Sequence, residues 1–135
     1  MTLRLKTATL AVLLALSAEV QAHHSFAMFD MAKTVTFTGT VKEVQWTNPH
    51  VWIDLTVMES GKPVTYSFEG AAIAVLKRVG WKIDSVKAGD VITLVGHPYK
   101  SGRPGGCFDH VILADGRKLG TGDALPGALR VPGVE

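Results

Sequence analysis

Cysteine is nearly absent: Cys107 is the one thiol in 135 residues. No intrachain disulfide can form, so the fold must be held by its core. A solitary cysteine in an oxidising setting reads most simply as a small buried apolar residue rather than a reactive thiol. Charge of one sign is missing too. Fourteen basic residues stand against twelve acidic ones, a net of +2, and nothing in this balance argues for nucleic acid or an anionic surface as a partner. No apolar run reaches the ~20 residues that a spanning helix needs. There is no internal repeat and no low-complexity tract. The common catalytic signatures are also lacking: no Gly-rich phosphate loop, no G-x-S-x-G and no H-E-x-x-H. Asp30, Asp54, Glu69 and Asp109 are scattered, and no carboxylate pair can be inferred. Cys107 and His110 make a C-x-x-H pair, but strand alternation puts them on opposite faces, which argues against a nucleophile–base dyad. The expectation is a protein that is not an enzyme.

What is present begins with a leader. Arg4 and Lys6 give a positive start, residues 8–18 (ATLAVLLALSA) form a short apolar run, and Val20-Gln21-Ala22 suits signal peptidase. Residues 1–22 therefore read as a secretory signal peptide, which predicts a secreted mature protein with no membrane span after cleavage. The mature chain would start at His23, remain near neutral and form one domain. Residues 23–33 read as an N-terminal arm, residues 34–119 as the folded domain and residues 120–135 as a Gly/Pro-rich tail.

Within the domain, Val35, Phe37, Gly39 and Val41 alternate with threonines, the period of a strand. After Val41 the apolar parity slips to Val44 and Trp46, the mark of a β-bulge, with Gly39 just before it. A second strand covers residues 51–58 and a third 64–68, with residues 60–63 as the turn between them. Residues 71–79 carry helix formers with an apolar stripe and end at Gly80. Strands follow at 91–99 and 107–113. Residues 100–106 (KSGRPGG) read as a loop whose glycines and proline would not pair in a sheet. Asp115-Gly116 signals a turn into a short final hairpin at 117–119. The order β-β-β-α-β-β, with a long bulged first strand, predicts an all-β fold with one short helix: a five-stranded OB-like barrel plugged by the helix.

The stretches Ala22-His23-His24-Ser25-Phe26, Trp46-Thr47-Asn48-Pro49-His50-Val51-Trp52, Leu76-Lys77-Arg78-Val79-Gly80-Trp81, Lys87-Ala88-Gly89-Asp90 and Asp115-Gly116-Arg117 together resemble a family of small secreted bacterial proteins catalogued as a domain of unknown function. The resemblance spans nearly the whole mature chain and departs from the family pattern in the tail after Leu119. It implies a periplasmic protein of Gram-negative type and carries no activity, substrate or catalytic residue with it.

Two sets of residues stand out chemically. Ligands of such barrels sit on the face of strands two and three beside the first and last inter-strand loops. That points to Trp46, Asn48, His50 and Trp52 as a ligand-binding set, with Trp81, Tyr66 and Tyr99 as further aromatic surface. Core packing explains Trp46 and Trp81 equally, and Asn48 before Pro49 is also a plain turn former. The second set is metal-ligating. A mature N-terminal His23 would offer its α-amine, with an ordinary pKa of ~7.7–8.0, and its ring to one metal. His24 or His50 would then complete an all-nitrogen site suited to copper. The reading is a periplasmic, non-catalytic binding module for an unidentified small ligand. The alternatives are a copper-binding protein using His23, His24 and His50, or an interaction subunit docked on an envelope protein.

Overall fold

The structure, a computed structural model, describes residues 26–122. The expected signal peptide, His23, His24 and all of the tail beyond Gly122 lie outside them. The elements are β1 (Val35–Gln45), β2 (Trp52–Glu59), β3 (Lys62–Glu69), α1 (Ile73–Arg78), β4 (Val91–Pro98), β5 (Gly105–Ile112) and β6 (Lys118–Gly120). The sheet order is β3-β2-β1-β4-β5-β6, and a further β3–β5 pairing closes five strands into a barrel, with β6 outside the ring. This is the OB-like barrel expected from the element order.

β1 serves both sides of the barrel because it is long and bulged. Its first half pairs with β4, from Val35 opposite Gly96 to Thr40 opposite Val91. Its second half pairs with β2, and the register shifts between Val41 and Glu43, where the sequence parity slips. Gly39 lets β2 approach, since a Cβ there would lie 2.4 Å from the Thr56 carbonyl oxygen. The β2–β3 hairpin turns on Ser60 and Gly61 alone, at φ 48° and 80°, the pair of positive values that a tight two-residue turn requires. β3 consequently starts at Lys62 rather than Val64, and Pro63 pairs with Met58.

The seam is parallel and short: Ser67, Phe68 and Glu69 pair with Gly105, Gly106 and Cys107. This corrects the reading of residues 100–106 as a loop unable to join the sheet. A Cβ at Gly105 would sit 2.0 Å from the Ser67 carbonyl oxygen, and one at Gly106 1.9 Å from that of His97. Glycine is the residue that permits the closure, because two backbones occupy the space a side chain would need.

Inside the barrel Val41, Ile53, Leu55, Phe68, Ile92, Leu94, Phe108 and Val111 are buried together. α1, shorter than the predicted 71–79, plugs one end with Leu76, which is fully buried. Trp81 follows it into the core, 5.7 Å from Phe108, and its indole N–H donates to the Gly120 carbonyl at 2.7 Å. Packing runs on through Thr121, which is buried and bonded to Asp109. A second bulge lies in β5, where Val95 faces His110 but Gly96 faces Phe108. Asp109 is therefore the extra residue, and His110 does not share the face of Phe108 as simple alternation suggests. His110 alternates with the core residue Val111 and lies on the outer face, as Cys107 does, so the opposite-face argument for that pair does not hold.

Candidate functional site

Register builds a row of unlike side chains across the outside of the barrel wall. Trp52 lies opposite Glu69, Glu69 beside Cys107, and Cys107 opposite His97. Their neighbours Ile53, Phe68 and Phe108 point into the core, so alternation turns this row outward.

Part of the row is covered by the N-terminal arm. The Asp30 amide donates to the Pro98 carbonyl at 2.8 Å, and the Lys100 amide to the Met28 carbonyl at 2.9 Å. Phe29, Tyr99 and Cys107 form a small second cluster, flanked by Phe26 and Met31. The Phe29 and Tyr99 rings are 5.0 Å apart. His97 meets the Lys33 carbonyl through Nδ1 at 2.7 Å. Burial pushes the Cys107 thiol up to about 12, so the thiolate is not available near neutral pH.

The turn between β1 and β2 covers the other part. His50 Nδ1 meets Glu69 Oε1 at 2.5 Å, with the Glu69 side chain 11% exposed and that of His50 33%. The turn is pinned from below: the Val51 amide donates to Ala71, the Gly70 amide donates to Val51, and Asn48 Oδ1 accepts from the Ile73 amide at 3.3 Å. α1 has no side-chain cap of its own, so Asn48 serves as one from across the barrel end. Burial holds the Glu69 carboxyl above the ordinary glutamate range, although His50 and Arg103 both pull it down. Arg103, on the β4–β5 loop, lies 3.7 Å above the Tyr99 ring. Burial raises the Tyr99 hydroxyl, and Arg103 opposes that shift. Two chemistries follow. The cluster combines a buried acid with a cation stacked on an aromatic ring. It also offers an imidazole whose Nδ1 is taken, so that Nε2 is the atom left for a ligand.

The sequence-predicted residues are placed as follows. His50 and Trp52 both neighbour Glu69, the first by its side chain and the second by strand register. Asn48 caps α1 behind them. Trp46 leans on the main core and, with Lys77, Gly80, Trp81, Lys82 and Ile83, lines a separate depression of about 510 Å³. Tyr66 packs against Phe37 and Phe68 and donates to Glu59. The aromatic residues therefore do not make one surface. Among the described residues no three His, Cys, Asp or Glu side chains gather where they could hold a metal. His110 is paired with Asp109, and His23 and His24 lie outside the described residues. Glu69 and Arg103 were missed as members of the site, and Tyr99 was named only as further aromatic surface. Glu69 follows from counting back from a two-residue turn at Ser60-Gly61, whereas a four-residue turn puts residue 71 opposite Trp52.

The profile of one family, described as a family of unknown function (DUF6152), matches residues 11–108. No curated protein and no solved structure matches the sequence.

Proposed function

The chain belongs to the DUF6152 family, whose function is unknown, and from that premise we propose that it is a secreted periplasmic binding module that performs no catalysis. Its site is the outward-facing cluster of His50, Glu69, Trp52 and Arg103. The leader-like residues 1–22 support the location. The observation that carries the binding reading is the His50–Glu69 contact. A carboxyl buried on the outer face of a barrel is costly unless something needs it, and this one orients a half-exposed imidazole beside a tryptophan. The barrel geometry adds a general reason, since OB folds take ligands on strands two and three between these two loops. The test is an amide-shift titration with a panel of neutral, acidic and glycan fragments. Binders are expected to move residues 47–52, 69 and 103, and to lose those shifts in His50→Ala. A panel whose shifts fall elsewhere on the barrel refutes this site.

One observation favours a second reading, a copper site built on the amine and ring of His23 and completed by His50. A metal-bound histidine is usually held by a carboxylate on its other ring nitrogen, which is what Glu69 does for His50. The arm also enters the described region at Phe26, against the cluster of Phe29, Tyr99 and Cys107, and Cys107 neighbours Glu69. Native intact mass of the secreted protein at equal Cu(II) is the check. A mass starting at His23 with one copper retained, and that copper lost in both His23→Ala and His50→Ala, is expected. A different N-terminus or no retained copper rules the reading out.

A further inference from the structure

The near-neutral charge balance of the chain conceals a local concentration. α1 and the connector to β4 carry Lys77, Arg78, Lys82 and Lys87 against two acids, Asp84 and Asp90. All four cations are exposed, and among the described residues none lies within ion-pair distance of a carboxylate. Lys77 and Arg78 suit the C-terminal end of the helix dipole. Lys82 and Lys87 lie beyond the helix and have no such role.

Apolar side chains sit among these cations. Gly80, at φ 99°, reverses the chain after α1, and the Trp81 amide returns to the Leu76 carbonyl at 3.0 Å. Trp81 is thereby drawn into the core while Val79 and Ile83, on either side of it, are left outside at 41% and 68% exposure. Neither belongs to a hydrophobic cluster. Half-buried Trp46, Lys77, Lys82 and Ile83 line one open depression.

We propose that this end of the barrel docks peripherally on an anionic phospholipid surface. Val79 and Ile83 enter the interfacial layer, Trp46 lies at headgroup level, and Lys77, Arg78 and Lys82 meet phosphates. Exposed apolar residues ringed by unpaired cations are the pattern of interfacial attachment, and tryptophan favours the same depth. Charge decides between occupants. A second copy docked two-fold would bring the three cations against themselves, and a neutral protein would strip them of water without a partner. No helix among the described residues is long and apolar enough to cross a membrane, so the contact proposed is attachment and not insertion. The net charge of the whole chain gives no hint of this, because ten of the twelve acids lie outside α1 and this connector.

The test is sedimentation of the purified protein with vesicles of phosphatidylglycerol and phosphatidylcholine, against phosphatidylcholine vesicles alone. Retention on the anionic vesicles is expected, with release as salt rises to about 0.5 M. Each cation near such a surface contributes about fivefold, so the double variant Lys77→Ala/Lys82→Ala is expected to bind about 25-fold more weakly. Ile83→Asp is expected to abolish retention. All three positions are exposed, and melts matching the parent protein establish that the variants are folded. Absence of retention on anionic vesicles overturns the proposal, as does equal retention on neutral ones or retention indifferent to both variants. Self-association lost in Ile83→Asp would assign the face to a second copy instead.

Discussion

Phe68 and Glu69 are neighbours in the chain and are both nearly inaccessible, at 0% and 8% exposure, yet they are buried by different things. Phe68 is enclosed by the barrel itself, among side chains from every wall. Glu69 lies on the outer side of the same wall, beneath His50 from a turn and near Arg103 from a loop. The same contrast separates Phe108, inside, from Cys107, which is covered by Phe29 of the arm. Interior burial follows from closing the sheet and is wholly apolar. Exterior burial is supplied by appended segments, so it can hold polar groups and can be removed without dismantling the fold.

Four substitutions probe that contrast, in decreasing order of effect. Phe108→Ala opens a cavity in the closed interior and is expected to cost about 3–5 kcal/mol, read by chemical denaturation. Phe29→Ala removes the arm's anchor and is expected to cost about 2 kcal/mol, because the arm can detach while the barrel stands. Cys107 should then react faster with a thiol reagent while strand amides keep their exchange protection. If those amides lose protection together, the outer cluster is part of the main cooperative unit and the contrast fails. Asn48→Ala deletes the borrowed helix cap and is expected to cost about 1 kcal/mol, with faster amide exchange in the first turn of α1.

The smallest effect is a dependence on pH. The Glu69 carboxyl lies above its ordinary range because burial outweighs His50 and Arg103. A raised folded-state value favours the protonated form. Its contribution to stability is therefore complete below the ordinary glutamate range and is lost as pH rises through the raised value. The melting temperature of the protein relative to Glu69→Gln is expected to fall from about pH 4 to pH 7. A rise over that window would mean that His50 and Arg103 outweigh burial.

Much of the barrel was legible in local pattern. The alternation of Val35, Phe37, Gly39 and Val41, the parity slip after Val41 and the helix ahead of Gly80 all encode what was built, because each depends on residues close in the chain. The closing seam was not legible. Gly105 and Gly106 look like loop residues locally, and only the arrival of β3 shows why side chains must be missing there. The Asp109 bulge left no mark in the apolar pattern, so the face of His110 was misjudged. In the site, His50 and Trp52 stood out by residue type. Glu69 did not, since its environment is set by register, arm and turn together, and Trp46 drew attention by type although it lies beside Trp81 in another depression.

The seam also bears on the order of folding. Ser67 and Gly105 are far apart in sequence, and a parallel contact across so long a loop forms against a larger entropic barrier than the β2–β3 hairpin does. Hairpin pairing is expected early, and the seam late. Glu69 and Cys107 meet across that seam, so the site is completed only when the ring shuts. A chain stalled with the seam open would keep most of its strands and have no site, which makes the binding surface a reporter of completed folding.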